Sequence, residues 1–236
     1  MKKLLTIAAL SGFQGEICAP CEEIEIIRVD EKPLYEVLKQ VKSKYVCVAD
    51  GGFAFSDSKE YLSELDGATA DIVVFEGGCL IKTAILKGLP AKLCADRFTA
   101  EVFGAMDAKS VLNADFKPLN LYPVAPEYSP ETEERLYDAL AEFKKCKAKL
   151  SKEVYSFVFD AFLKKLIMFY IRAAVAIREK RLEAEKLKEF DAKLKENIVL
   201  YLALEKKFYP ADIKKLREKD FKIGFIQYNK FKKLIK

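Results

Sequence analysis

Short aliphatic and β-branched runs recur through the first half of the chain, each too brief for a buried helix and each stopped by an acidic residue, a glycine or a polar turn. Leu4–Ala9, Ile24–Val29, Tyr45–Ala49 and Asp71–Phe75 are near-continuous apolar stretches, the pattern of strands buried on both faces of a parallel sheet. Segments of helical spacing separate them. Pro33 opens one that runs to about Val41 with Leu34, Val37, Leu38 and Val41 on one face, and Ser56 or Asp57 caps another over Lys59–Leu65. This strand–helix alternation predicts an α/β sheet with right-handed crossovers. From Thr99 to Leu121 the pattern is too weak to assign.

The second half reads differently. Ser129-Pro130 caps a helix to about Lys147 with Glu131, Glu133 and Glu134 near its positive end. Ser151 begins a long helix, apolar on most of its circumference to Ile177 and strongly charged from Arg178 to Lys195. Further helices are predicted over about Glu196–Phe208 and from Pro210. Residues 1–120 hold 14 Lys and Arg against 18 Asp and Glu, whereas residues 121–236 hold 27 against 18. The expected division is therefore an α/β domain over 1–125 and a basic α-helical region over 126–236.

The chain contains no histidine. Ser-His-Asp and Cys-His nucleophilic sites and His-ligated metals are therefore outside its reach, and its chemistry must run on carboxylates, Cys, Lys, Tyr or a cation held through oxygen. Cys18-Ala19-Pro20-Cys21 has redox or half-zinc spacing, but a strand follows where a redox helix would stand, and there is no second C-x-x-C. It reads as a loop with two incidental thiols. Lys2, Lys3 and the apolar run Leu4–Leu10 have the outline of a secretory leader, but the run is short and reads better as a first buried strand. The most apolar stretch, Phe157–Ile177, carries Asp160, Lys164, Lys165 and Arg172, too many charges for a bilayer core. The expected location is the cytoplasm.

Acidic residues stand at successive strand ends: Asp30 after the second run, Asp50 after the third, Glu76 after the fourth. In open α/β sheets ligands bind in the crevice at the carboxyl ends of the strands. Three carboxylates there suit Mg²⁺ or Mn²⁺ bridging a diphosphate, with Gly51 and Gly52 allowing close backbone approach. Turns favour the same residue types for their own reasons, so both readings stay open.

The stretches KKLLTIAALSGF, EEIEIIRVDE and SKYVCVADGGFAFSD resemble, in order, the "LLTIAIPTYN", "IEIIVVDDGS" and "KYIVFVDSDD" segments of family 2 glycosyltransferases of the GT-A fold. The later DGATADIVVFEGG is similar to the segment after that family's metal motif, so the resemblance covers about half the chain. It implies a GT-A-like (Rossmann-like), mostly parallel sheet followed by the C-terminal α-helical region. It also implies a nucleotide-sugar site of Asp30, Asp50, Gly51, Gly52 and Glu76, with Asp30 at the base or ribose and Asp50 first in the metal motif. That motif's second acidic position is Gly52 here, with Asp57 as the substitute ligand for Mn²⁺ or Mg²⁺. Glu101 and Asp96 are the candidate catalytic bases. Leu10-Ser11-Gly12-Phe13 replaces the nucleotide-contacting Pro-Thr-Tyr-Asn, and the passage from Val29 to Tyr45 is much shorter than in the family.

The resemblance implies transfer of a sugar from a nucleotide-sugar to a glycan or lipid-linked acceptor. The alternative is a non-catalytic GT-A relative serving as an assembly or regulatory partner. Residues 221–236 interleave apolar side chains with lysines. That pattern suits a peripheral contact with the inner face of an anionic membrane, or a helix packed by its apolar side with its lysines in water. Homo-oligomers are within expectation; nucleic acid is not an expected partner.

Overall fold

The computed structural model describes residues 3–10, 19–29, 32–50, 52–55, 60–94, 96–122, 129–206 and 213–235. The chain packs as two units, one of residues 1–124 with 146–158, the other of residues 125–145 with 159–236.

The first unit begins with strands β1 (Leu5–Leu10) and β2 (Ile24–Val29), helix α1 (Leu34–Gln40), and strands β3 (Tyr45–Ala49) and β4 (Gly52–Phe55). There follow α2 (Tyr61–Gly67), β5 (Ile72–Phe75), β6 (Gly78–Lys82), α3 (Thr83–Gly88), α4 (Arg97–Asp107), β7 (Val111–Asn113) and β8 (Leu119–Tyr122). Six strands form one sheet in the order β2-β1-β3-β6-β5-β7, and β4 pairs with β8 in a separate antiparallel ribbon.

The main sheet is mixed. β1 runs parallel to β2 and β3, and β5 parallel to β7, but β6 is antiparallel to both β3 and β5. β6 is reversed because Glu76 and Gly77 close a tight turn between Phe75 and Gly78, which pair across it. Gly77 takes φ +92°, open to glycine at no steric cost.

One sheet face, lined by Leu5, Ile7, Tyr45, Cys47, Val73 and Leu80, packs on Phe53, Tyr61, Leu65 and Leu119. Helices α1, α3 and α4 pack on the sheet as well, α4 against β3 and β6. Its close seat there depends on Gly104, where an added Cβ would lie 3.1 Å from Leu86 and 3.2 Å from Ile81. Leu5–Leu10 is thus a buried central strand, as expected of that run. Cys18 lies outside the described residues, and Cys21 packs half-buried against the core.

Helix α5 (Pro130–Cys146) and the 27-residue α6 (Lys152–Arg178) come next, then α7 (Ala184–Leu194), α8 (Ile198–Lys206), α9 (Ile213–Glu218) and α10 (Phe225–Leu234). The apolar and charged stretches of 151–195 are two helices, not one. Lys180 takes φ 60°, and the Arg181 N–H donates to the Ala176 carbonyl at 2.8 Å, which ends α6 in a Schellman-type cap. No glycine marks the place. Among the described residues no helix is long and apolar enough to cross a membrane.

Within the second unit Asp191 is buried, taking the Tyr170 hydroxyl and Arg217, which also reaches Glu205 at 3.0 Å. In the C-terminal segment Phe221, Ile223 and Phe231 are buried, whereas Phe225 and Ile226 are exposed.

Two stability predictions follow from these contacts. Asp71 joins three segments: Lys82 Nζ donates to it at 2.9 Å, the Lys109 N–H at 2.8 Å, and its own N–H donates to Ser110 at 3.1 Å. Burial tends to raise its carboxyl pKa, but the Lys82 and backbone hydrogen bonds outweigh burial and hold it below the usual range. Its contribution is therefore complete above the unfolded pKa of about 3.9 and is lost as pH falls through the lower folded value. Asp71→Ala should cost about 1–3 kcal/mol in urea denaturation at pH 7, the deficit shrinking in acid. Lys180→Gly should raise the urea midpoint, gaining roughly 0.5–1 kcal/mol by relieving the left-handed backbone.

Candidate functional site

Asp50 follows β3 at its carboxyl end, in a strand flanked by β1 and β6. Its partner comes from α4. Asp96 is the N-cap of that helix, accepting the Thr99 N–H at 2.8 Å, while the Thr99 hydroxyl accepts the Asp96 N–H at 3.0 Å. This reciprocal box fixes the first turn. Arg97 then spans three acceptors. Its Nη1 donates to Asp50 Oδ1 at 3.3 Å, its Nη2 to the Gly77 carbonyl at 3.0 Å, and its Nε to Glu101 Oε1 at 2.7 Å, one helical turn on. The start of α4 and the turn between β5 and β6 are thereby gathered at the carboxyl end of β3.

Exposure grades across the cluster. The Asp50 side chain is 31% exposed, Glu101 17% and Arg97 13%. Burial pushes the Glu101 carboxyl above its usual range, the nearby Asp50 charge adds to this, and Arg97 and a hydrogen bond from Cys79 oppose it. Arg97 keeps its proton: burial works against the charge, but Glu101, and to a smaller extent Asp50, favour it. Burial drives the Cys47 thiol up to about 12, and Cys79 likewise lies well above a normal thiol. Both are therefore neutral at pH 7 and poor nucleophiles.

The expected site residues are distributed unevenly. Asp50, Asp96 and Glu101 lie within the Arg97 cluster or beside it in sequence. Glu76 stands in the β5–β6 turn but points to solvent, 85% exposed, and pairs with Lys117 at 3.1 Å; it is the next residue's carbonyl that joins the cluster. Gly52 begins β4, paired with Tyr122. Asp30, Gly51 and Asp57 lie outside the described residues. Arg97 was not among the expected residues. Its signals were the Asp-Arg-x-Thr cap and the Arg97/Glu101 spacing, within a stretch too weak to assign as a whole.

Among the described residues no group of three or more Cys, Asp or Glu side chains is placed to hold a metal. Mg²⁺ needs less than that when a substrate shares it, commonly one or two carboxylates with phosphate oxygens and waters completing the shell. Asp50 is partly exposed at a strand end, but one of its oxygens already accepts from Arg97, whose charge works against a second cation there.

No protein-family model matches the chain, and neither a curated protein nor a solved structure matches it.

The cluster's electrostatics give a test. Arg97→Gln leaves two carboxylates facing each other without their cation and should destabilise by about 2–3 kcal/mol, somewhat less than for a fully buried pair. Glu101, its pKa already raised, should rise further in that variant. A raised carboxylate pKa gives stability that is complete below the unfolded value and lost as pH rises through the folded one. From the unfolded carboxyl value of about 4.3 up to neutral pH, Arg97→Gln should therefore lose more stability than Arg97→Gln/Glu101→Gln. Urea midpoints across that range check it.

Proposed function

We propose that this chain is a metal-assisted glycosyltransferase of GT-A type, moving a sugar from a nucleotide-sugar donor to a glycan or lipid-linked acceptor. The observation that carries this reading is the Arg97 cluster, which brings Asp50, the Gly77 carbonyl and Glu101 together at the carboxyl end of a central strand. That is where open α/β sheets bind their ligands. The mixed six-stranded sheet is compatible with a GT-A-like, Rossmann-like domain. Asp50 would hold the Mn²⁺ or Mg²⁺, which when bound stabilises charge on the departing nucleoside diphosphate. Asp30 would meet the base or ribose, and Gly51 and Gly52 would leave room for the diphosphate.

The two candidate bases separate by environment. Glu101 accepts from Arg97 and Cys79, so it is a positioning residue that holds Arg97 against Asp50. Asp96, half-exposed at the start of α4, is left as the carboxylate that takes the acceptor's proton.

Titration calorimetry with UDP- and GDP-sugars in the presence of Mn²⁺ tests the reading. Asp50→Ala should weaken donor binding at least about tenfold by removing a charge-assisted ligand. Asp96→Asn keeps a good N-cap, so it should preserve fold and donor binding while lowering transfer by about 10²–10⁴. Absence of binding by every common nucleotide sugar, with no effect of Asp50→Ala, would sink it.

A second reading, a non-catalytic GT-A relative, is favoured by the Arg97–Asp50 pair itself and by Gly52 at the second acidic position. A built-in cation already occupies one oxygen of the carboxylate that a metal would need. A persistent oligomer or a co-purifying enzyme, together with absent nucleotide binding, distinguishes it.

A further inference from the structure

Helix α10 is divided lengthwise into a buried side and an exposed one. On the inner side Phe231 is buried, Tyr228 Oη donates to Glu179 Oε1 at 2.7 Å, and Lys232 Nζ donates to the same oxygen at 2.9 Å. The Tyr228 hydrogen bond, followed by those of Arg181 and Lys232, brings the Glu179 carboxyl down to about 2, so this anchor stays charged throughout the neutral range. Residues 225, 226, 229, 230, 233 and 234 are all exposed. Their spacing places them on a single stripe of the helix.

That stripe mixes two chemistries. Phe225 is 68% exposed and Ile226 81%, with Leu234 also open one face further along. Lys230 and Lys233 stand among them, and Lys222 lies exposed just before the helix. Residues 213–235 hold eight Lys and Arg against two Asp and Glu. Asp220, one of the two acids, is matched by Lys188 at 3.0 Å.

We propose that the outer face of α10 docks on an anionic phospholipid surface, Phe225 and Ile226 entering the headgroup–acyl boundary while the surrounding lysines meet lipid phosphates. Apolar side chains and lysines on one exposed helix face are what an interfacial helix requires. Protein interfaces are depleted of Lys at their apolar centres, and here Lys230 and Lys233 sit within the stripe. A second copy would set those lysines against their own kind across a two-fold axis. Single-stranded nucleic acid is held by stacking on aromatic rings, and on this stripe only Phe225 offers one. The proposal depends on α10 alone and stands whichever reading of the Asp50 cluster holds.

Flotation of the full chain with phosphatidylcholine vesicles, with and without about one third phosphatidylglycerol, tests it. The protein should float with the anionic vesicles, and added salt should weaken the association. Phe225→Ser/Ile226→Ser should lower partitioning about tenfold or more, and each of Lys230→Gln and Lys233→Gln about fivefold. Phe225, Ile226 and Lys233 are exposed, so far-ultraviolet circular dichroism and the melting midpoint of their variants should stay at the parent's values. Absence of flotation, equal binding to neutral vesicles, or anionic binding untouched by the Phe225/Ile226 pair would overturn the proposal. So would an oligomer that dissociates on Phe225→Ser/Ile226→Ser, or an oligonucleotide that displaces the protein from anionic vesicles.

Discussion

The Arg97 guanidinium is the group on which the candidate site depends. Its acceptors come from three separate pieces of chain: the end of β3, the turn between β5 and β6, and α4 itself. A planar fork of five donors can satisfy acceptors in three directions at once, which a lysine ammonium on a flexible stem does far less well. The reversed strand makes this possible. Because β6 runs against β3, with Val46 opposite Ile81, β6 starts beside the end of β3, and the Gly77 carbonyl lies within reach of the residue that holds Asp50. Were β6 parallel, its beginning and the preceding turn would lie at the far end of the sheet.

This geometry explains which parts of the fold were legible in the sequence. Strands β1, β3 and β5 follow the apolar runs closely, since strands covered on both faces leave an uninterrupted hydrophobic signature, and β2 follows its run as a half-buried edge strand. β6 was hidden because Glu76-Gly77-Gly78 resembles the end of a strand as much as the tip of a hairpin. Only pairing between Phe75 and Gly78 tells them apart. β7 is three residues long and β8 four, too short for alternation to show. The break after α6 rests on a lysine in a left-handed conformation, where composition offers no cue. Asp50 was legible as an acid at a strand end. Its ion pair was not, since 47 residues separate it from Arg97.

The helical unit uses the same chemistry for another purpose. Asp191 lies in the charged stretch that followed the apolar helix pattern, and it is buried rather than solvated. Tyr170 of α6, Asp191 of α7, Glu205 of α8 and Arg217 of α9 form one connected set, with the Arg217 guanidinium 3.7 Å from the Tyr201 ring centre. Each of four helices contributes a polar group, and a shift of any one would leave a buried charge unmatched. Such networks define register more than they add net stability.

The two arginine–carboxylate clusters differ in how fully their acids are engaged. At Asp191 and Arg217 both side chains retain 10% exposure, both carboxylate oxygens accept from Arg217 Nε, and Tyr170 adds a further donor. At Asp50 the contact is a single longer one, 3.3 Å to Oδ1, and the side chain keeps three times that exposure. An ion pair bonded through both carboxylate oxygens and joined by a tyrosine hydroxyl holds helices together. One that is partly open at the carboxyl end of a strand holds a carboxylate in place and leaves it reachable. This difference in engagement and exposure is why Asp50, rather than Asp191, suits the proposed ligand site.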